Sequence, residues 1–390
     1  MSAVNTARRY LATEIYRSST VVLLALVGLF TFFSLVDDLD DVGRGGFTLY
    51  HLFILELFAL PTRVYDILPI GLLIGSILAL AGLAQRHELV ILRVSGVSGM
   101  RLLGMLWVVT IPVVVLALLV AELLTPAAEI KLNEARLRYT GSTGSSSGML
   151  RSGYWFKEST PTGERMINVA GLQSSGGAVG ITLYEFNQGR ALSSVVQAES
   201  ATFETGHLAL RNATINTVSP DAESALDEGR RATAPSVTVT KQAQMSVPTS
   251  LTPELLFARV LTPERMSFAN LVNYIRYLSS NHLVAERQVV AIWRKVIYPF
   301  TLLAMVTIAA PLGFMQTRRG GVGVKVFVGI LLGVAFFMLN QLSLNVGMLN
   351  RWPAWLTAVG PNAMAMAGGL GAMLALEYGS RLPWRRRVGA

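Results

Sequence analysis

The chain contains no cysteine, and only 15% of its 390 residues are charged. The absence of cysteine excludes disulfides, thiolate chemistry and cysteine-based metal sites. Soluble domains usually carry about 25% charged residues, whereas here 52% of residues are hydrophobic and the mean hydropathy is +0.48. This composition excludes a disordered, collagen-like or ordinary cytosolic protein. It indicates a protein that crosses a membrane several times.

Residues that carry enzyme chemistry are also scarce. The sequence has four histidines, far apart in the chain, no His-Glu-x-x-His metal motif and no nucleophile elbow. The glycine-rich stretch 320–325 lacks the Gly-Lys-Ser/Thr ending of a phosphate-binding loop and joins two apolar segments. We therefore expect no catalytic site, no metal site and no nucleotide hydrolysis by this chain.

Six apolar segments are long enough to cross a bilayer, which needs roughly 20 residues of helix. None of the six contains a charged residue, so they offer no titratable relay for ion-coupled transport. The first is too long for a signal peptide and lacks a small-residue cleavage site. The segments are 18–36, 67–84, 102–121, 296–317, 326–350 and 352–376.

The basic residues behind the net charge of +9 cluster on one side of these segments. The opposite loop, 37–66, has only Arg44 and Arg63 and carries an acidic run at 37–41. The positive-inside rule places the basic side, with both termini, in the cytoplasm, so the charge reflects topology and not nucleic-acid binding. The 13 basic residues are Arg8, Arg9, Arg17, Arg86, Arg93, Arg101, Arg318, Arg319, Lys325, Arg381, Arg385, Arg386 and Arg387.

The long insertion between the third and fourth segments has a different residue pattern. Between 149 and 247, alternating or β-branched runs are separated by Gly, Ser and Asn clusters. This pattern indicates a β-sandwich, a jelly roll or a partly open barrel of about 100 residues. Ser267 can cap a helix whose apolar residues recur at helical spacing. We expect an α-helical polytopic membrane protein, three plus three spans, with an inserted all-β domain outside the membrane.

Two intramembrane features each have two interpretations. The polar cluster of Asn340, Gln341, Ser343 and Asn345 in the fifth span serves either interhelical hydrogen bonds or substrate contact. The Gly-x-x-x-Gly pairs in the second span (71 and 75) and the fifth span (329 and 333) permit close helix approach. These pairs indicate packing more strongly than dimerisation.

The short basic loop 85–99 can form an amphipathic helix with Glu88 in its first turn, where the helix dipole favours an acid. Leu89, Val90 and Leu92 can line one side, and two Ser-Gly pairs then end the helix. A helix of this kind fits a docking site for a soluble motor. It fits equally well an interfacial loop that rests on lipid headgroups.

Several stretches resemble the lipopolysaccharide-export permeases LptF/LptG of Gram-negative bacteria. The main signature is LPIGLLIG at 68–75 followed by LAQRHELVILRVSG at 83–96. Its residues are more similar to those of the G member than to those of the F member. The three-plus-three layout around a β-insertion resembles the family from end to end. Weaker matches are Arg9-Tyr10-Leu11, NYIRYL at 273–278, Trp293-x-Lys295-x-x-x-Pro299 and GVKV at 323–326.

The resemblance implies a permease half of an ATP-driven exporter in the bacterial inner membrane. Such a chain pairs with an LptF-type permease, two copies of an LptB-type ATPase and an LptC-type single-span subunit. It extracts lipopolysaccharide from the outer leaflet and passes it to a periplasmic β-jelly-roll bridge toward the outer membrane. ATP and magnesium are then held by the ATPase, and this chain binds no cofactor. The domains implied are 1–124 with the coupling helix at 85–99, the β-domain with flanking helices at 125–292, and 293–390.

The resemblance also implies roles for individual residues. The coupling helix contributes Glu88, Leu89, Leu92, Arg93, Ser95 and Gly96. The lipid-contacting residues are Arg136, Arg138, Arg44, Phe336, Phe337, Asn340 and Gln341. Enterobacterial G members carry lysines near the outer end of the first span, where this chain has the acidic run. The difference leaves three alternatives: a bridging divalent cation, a less phosphorylated lipid, or a clamp from Arg136 and the partner subunit. The alternatives are a permease for another lipid or lipoprotein, and a non-transporting scaffold that recruits envelope proteins.

Overall fold

A computed structural model gives the fold of this chain. It describes residues 2–43, 47–94, 97–140, 153–161, 163–172, 177–187, 191–204, 206–218, 237–249, 251, 262–314 and 322–378. These residues form two compact units. The first comprises 1–139, 263–268 and 286–390, and the second comprises 140–262 and 269–285.

The first unit is helical, as the long apolar segments require in a medium that cannot hydrogen-bond a bare backbone. Six of its helices are long and apolar enough to cross a membrane, which confirms the predicted three-plus-three arrangement. In chain order the helices are α1 (Ser2–Asp37), α2 (Leu49–Gln85), α3 (Glu88–Val94), α4 (Gly99–Leu119), α5 (Thr125–Thr140), α7 (Glu286–Phe314), α8 (Val322–Leu349) and α9 (Ala354–Tyr378), while α6 (Phe268–Ser280) begins at the boundary with the second unit.

Several helices are longer than the apolar segments that predicted them. The sequence indicated a loop from 37 to 66, but most of that prediction is wrong, because α2 already begins at Leu49. With 37 residues, α2 is about 55 Å long, far more than the roughly 30 Å of bilayer hydrocarbon. A π-helical turn at Val120–Leu124 joins α4 to α5 and continues the third span to Thr140. The helices therefore carry charged residues beyond their apolar segments.

The two Gly-x-x-x-Gly pairs are packing sites, as the sequence predicted. Gly75 of α2 lies directly against the backbone of Ser19 in α1, and Gly71 lies against Leu23 one turn away. Gly329 and Gly333 of α8 receive the side chains of α2 in the same way. Helix α2 is thus enclosed between α1 and α8, and the absence of side chains on these glycines sets the approach.

The second unit contains a six-stranded antiparallel sheet in which each strand pairs with the next in sequence. All four runs that predicted strands lie in it. The strands are β1 (Tyr154–Thr160), β2 (Gly163–Leu172), β3 (Gly177–Asn187), β4 (Leu192–Glu204), β5 (His207–Val218) and β6 (Val237–Pro248).

The sheet is rolled. The Arg165 guanidinium in β2 donates to the carbonyl of Pro248 in β6 at 2.8 Å and to Glu185 in β3 at 2.8 Å. In a flat sheet, strands four positions apart lie about 19 Å from each other, which an arginine side chain cannot bridge. Thr249, just after β6, also contacts Glu158 of β1. One end of the sheet therefore curls toward closure, which agrees with the predicted jelly-roll-like domain.

Helix α6 packs on this sheet and confirms the helix predicted after Ser267. Its buried face includes Leu271, Tyr274, Tyr277 and Leu278. The Tyr277 hydroxyl donates to the carbonyl of Lys157 in β1 at 2.8 Å. The amide oxygen of Asn281, just after α6, accepts from the backbone of Ser159 at 2.9 Å. The helix thus holds the first strand of the sheet.

The α1–α2 crossing can be tested with Gly75→Ala. A Cβ at this position would overlap the Ser19 backbone, and overpacking of this kind costs about 1–3 kcal/mol. Gly82→Ala in the same helix is the matched control, because a Cβ there meets nothing within 4 Å and both changes gain the same helix propensity. We expect thermal unfolding of the purified protein at lower temperature for Gly75→Ala only. Equal stability of the two variants would contradict the packing assignment.

Candidate functional site

A short helix, α3, lies between the second and third spans, where the sequence predicted a short amphipathic helix. His87 adopts a left-handed backbone conformation (φ 60°), which turns the chain sharply from α2 into α3. Leu89 is 4% exposed and lies in the same buried cluster as Leu83 and Leu103, so it anchors α3 to the spans. Ile91 and Val94 are 63% and 84% exposed. The helix therefore presents an outward apolar face.

Glu88 occupies the first turn of α3, as predicted, where the helix dipole favours a negative charge. Its carboxylate lies beside the Tyr10 hydroxyl of α1 and near Arg86. Arg86 in turn pairs with Glu14 of α1 at 3.6 Å. The Oε2 atom of Glu88 is buried and has no hydrogen-bond partner among the residues described. The first turn of α3 is thus tied to α1, with one carboxylate oxygen of Glu88 buried there.

At the other end of the spans, Arg136 of α5 meets the acidic run. Leu132 and Ala135 of α5 pack with Phe47 and the start of α2 in a small buried cluster. That packing brings the Arg136 guanidinium to 3.5 Å from the carboxylate of Asp38, in the turn after α1. Both side chains are partly exposed. The acidic run therefore neutralises a basic residue that the sequence singled out for lipid phosphate.

A buried carboxylate binds α5 to α2 at the same end. Glu129 is 3% exposed. It accepts a hydrogen bond from the Thr62 hydroxyl at 2.8 Å and pairs with Arg265 at 2.9 Å. The next residue of α2, Arg63, pairs with Glu56 at 2.6 Å and donates to the Thr31 hydroxyl of α1. These contacts join α1, α2, α5 and the segment before α6.

The π-helical turn in the third span places another carboxylate, that of Glu122, against α7. Glu122 pairs with Lys295 of α7 at 3.0 Å and accepts from the backbone N–H of Phe268 at 2.7 Å. It thus caps the first residue of α6 and binds two spans at once. Arg287 of α7 and Glu264 form a weaker pair at 3.7 Å. Among the residues described, no three His, Asp or Glu side chains come together as a metal site.

The first and fifth spans leave most of their apolar surface exposed. Only 11% of the apolar window of α1 and 17% of that of α8 are buried. Leu24, Phe30 and Phe33 of α1 and Phe327 and Phe337 of α8 are among the exposed side chains. Such surfaces require lipid or another protein against them.

In the fifth span, the aromatic pair of Phe336 and Phe337 and the polar cluster each include residues that face the inside of the first unit and residues that face outward. Phe336 packs with Leu73 and Met305 in a buried cluster, whereas Phe337 faces outward. Ser343 donates to the Thr357 carbonyl of α9 at 2.9 Å, which is an interhelical bond. Within the described part of the chain, the side chains of Asn340 and Gln341 make no hydrogen bond, and Gln341 is exposed.

Comparison with known proteins identifies the family of this chain. The model of the family "Lipopolysaccharide export system permease LptF/LptG" matches residues 9–375. This chain belongs to the LptF/LptG family. It is similar to the lipopolysaccharide export system permease protein LptG of Escherichia coli strain K12, at 28% identity over 91% of this chain and 94% of that protein. It is also similar to the LptG protein of Haemophilus influenzae, at 24% identity over 93% of this chain and 96% of that protein.

Membership of the LptF/LptG family makes this chain a lipopolysaccharide export permease of the inner membrane that crosses it several times. It also makes the chain a component of an ABC exporter. These matches favour export over the alternative of a non-transporting scaffold. The family signature at 68–75 and 83–96 corresponds to the buried centre of α2 and to α3.

The predicted site residues of this LptF/LptG permease do not form one cluster. Glu88 and Leu89 lie at the α3 end, Arg136 lies near the start of α2, and Phe337, Asn340 and Gln341 lie along α8. Their functional roles remain predictions. Arg44, Ser95 and Gly96 lie outside the described residues, as do the side chains of Leu92, Arg93 and Arg138.

Sequence reasoning missed the ionic contacts at the helix ends. Glu122, Glu129 and Lys295 lie just beyond the charge-free segments, and hydropathy alone gives no sign that they pair. The available signal was Lys295 within the Trp-x-Lys-x-x-x-Pro motif, which marks a basic residue immediately before an apolar span. Ile91 and Val94 were also missed as the exposed face of α3.

The buried carboxylate can be tested with Glu129→Ala. The change leaves Thr62 and Arg265 without their acceptor, which we expect to lower the free energy of unfolding by about 1–3 kcal/mol. Glu264→Ala is the matched control, because it removes a partly exposed pair worth about 0–1 kcal/mol. Thermal unfolding of the two purified variants makes the comparison. A Glu129→Ala protein as stable as Glu264→Ala would contradict the proposed anchoring.

Proposed function

We propose that this chain is one permease half of an ATP-driven lipopolysaccharide exporter, with both termini in the cytoplasm and the β-unit in the periplasm. The observation that carries the proposal is the family match over 9–375 together with the six helices. The positions of the 13 basic residues support the orientation, since basic loops remain in the cytoplasm. The α3 end is then cytoplasmic and the Arg136 end faces the periplasm.

The exposed faces of α1 and α8 support pairing with a second, LptF-type permease. The two helices flank α2, and their outward side chains are large and apolar. Two such surfaces facing each other enclose a space whose walls carry no charge, which fits the acyl chains of a lipid. Phe337, Asn340 and Gln341 line that space from this chain. Phe336 supports the wall from behind, because it packs on α2 and α7.

Helix α3 is the docking element for an LptB-type ATPase. Its anchor through Leu89 and its outward Ile91 and Val94 give it a fixed base and an apolar contact surface. Glu88, a half-buried acid in the first turn of α3, supplies a negative charge that attracts a cationic group of the ATPase. Leu92, Arg93, Ser95 and Gly96 complete the contact. ATP and magnesium are bound by two copies of the ATPase, and this chain holds no cofactor of its own.

Arg136 contacts a phosphate group of the substrate. The further candidates are Arg138, two residues later, and Arg44, which follows the acidic run in the sequence. The guanidinium fork suits phosphate geometry. In this structure Asp38 holds Arg136, so phosphate must compete with a carboxylate of the same chain. The extracted lipid then passes to a periplasmic jelly-roll bridge, with an LptC-type single-span subunit as a further partner of the complex.

The docking role of α3 is tested by Glu88→Lys in the assembled complex. The new lysine repels the cationic group of the ATPase that Glu88 attracts, and we expect lipopolysaccharide release to fall by about tenfold or more. The protein should still fold, because α3 is anchored by Leu89. Glu199→Lys, on the exposed surface of β4, is the control for the change of charge. Normal release and normal ATPase binding by Glu88→Lys would exclude the docking role.

Competition at Arg136 is tested by Asp38→Asn. The change removes one carboxylate that competes for the guanidinium, in a partly exposed ion pair worth about 0–1 kcal/mol. Binding of lipopolysaccharide should therefore tighten by about two- to fivefold. Asp40→Asn removes the same charge from the same exposed turn and should change binding less. Arg136→Ala should weaken binding and abolish the difference between the two. Binding to the purified complex is measured by titration, and weaker binding by Asp38→Asn would refute the competition.

A further inference from the structure

Two helix ends in the first unit have the wrong charge for their own dipoles. Helix α4 begins Gly99-Met100-Arg101, with no acid and one cation in its first turn. Helix α9 ends Leu376-Glu377-Tyr378, with an acid and no cation in its last turn. A helix dipole favours acids at the N-terminus and cations at the C-terminus. Each end therefore violates the rule when it is considered alone.

The two violations are resolved by a contact between these ends. The Glu377 carboxylate accepts a hydrogen bond from the backbone N–H of Met100 at 3.1 Å. The last turn of the sixth span thus supplies the acid that the first turn of the third span lacks. Ser98 completes the cap, because its hydroxyl accepts from the N–H of Arg101 at 3.2 Å.

Close packing also holds the end of α9 against the start of α4, a contact called the joint below. A Cβ on Gly99 would lie 2.6 Å from the Met373 Cε atom and 2.9 Å from a Glu377 carboxylate oxygen. Met373 is buried in one cluster with Leu102 and Leu103 of α4 and with Leu89 of α3. A methyl group at position 99 would displace the ends of the Met373 and Glu377 side chains, including the carboxylate that binds Met100. The anchor residue of α3 belongs to the same packed group.

The position of the joint indicates its use. Residue 98 lies four positions after the end of α3, so the cap stands where the docking helix connects to the third span. A force applied to α3 reaches α4 at its first turn, and Glu377 connects that turn to α9 directly. Helix α9 packs along α7, with Gly369 against Thr307, so displacement at the joint reaches the fourth and sixth spans.

We propose that Glu377 is a positioning residue that couples the ATPase-docking segment to the sixth span. The inference rests on the proposed function, because it needs an ATPase that moves α3. Glu377 touches neither substrate nor nucleotide in this account. It keeps the start of α4 attached to the end of α9, so that nucleotide-driven movement of α3 displaces the third and sixth spans together.

The test uses the full complex of this chain with its partner permease, ATPase and single-span subunit in proteoliposomes that contain lipopolysaccharide. ATP hydrolysis, lipopolysaccharide released per ATP and thermal stability are measured for Glu377→Ala, Glu377→Gln and Gly99→Ala. Leu376→Ala, an exposed neighbour, and Gly104→Ala, where a Cβ meets nothing within 4 Å, are the matched controls.

We expect Glu377→Ala to assemble and hydrolyse ATP but to release about tenfold less lipopolysaccharide per ATP, as loss of a helix cap of ordinary strength implies. Glu377→Gln keeps an oxygen acceptor for the Met100 N–H and should recover most of the release. Gly99→Ala should uncouple in the same way, whereas both controls should match the wild type.

Wild-type release per ATP in Glu377→Ala would overturn the inference and leave the proposed function intact. A parallel loss of hydrolysis, release and thermal stability that Glu377→Gln does not reverse would also overturn it, because that pattern indicates a merely structural contact. Absence of ATP-dependent release by the wild-type complex would instead refute the proposed function, and the inference with it.

Discussion

Hydrocarbon cannot accept or donate hydrogen bonds, and the structure depends on this constraint more than on any other. The part of each span inside the hydrocarbon must be a continuous helix without charge, and the charged residues must lie beyond it with partners. Glu122 and Glu129 lie beyond the charge-free segment of the third span, Glu377 lies in the last turn of α9, and each accepts from a neighbouring element. Contacts between spans within the apolar layer rely on glycine and on hydroxyl groups, as at Gly75 and Ser343.

The same constraint suits the export of a lipid. Walls without charge accommodate acyl chains, while the two charged ends can serve different partners: a phosphate-bearing headgroup at the Arg136 end and a cytoplasmic ATPase at the α3 end. Asp38 shows that this chain departs from the lysine-rich outer end expected for the family. The phosphate contact that we propose at Arg136 would be a guanidinium already balanced by a carboxylate, which would favour binding that can be reversed during transfer.

The number and order of the spans followed from the sequence because bilayer thickness sets a minimum apolar length. The β-unit and helix α3 also followed from local periodicity. Residues 49–66 were interpreted as a loop because Glu56, Arg63 and Asp66 interrupt a largely apolar run, and only charge-free runs were expected to be spans. The roll of the sheet through Arg165 and Pro248 was not predictable, since alternation gives the face of a strand and not its distant neighbours. The Glu377–Met100 contact joins residues far apart in the chain, and only the fold brings them together.

The central claim is that this chain works as a permease powered by a separate ATPase. The most direct measurement co-expresses it with the host's second permease, single-span subunit and ATPase, purifies the assembly on a tag carried by this chain, and follows lipopolysaccharide release from proteoliposomes to a jelly-roll acceptor. We expect a stable complex whose release requires hydrolysable ATP. A chain that purifies alone, with no ATPase bound and no ATP-dependent release, would contradict the account.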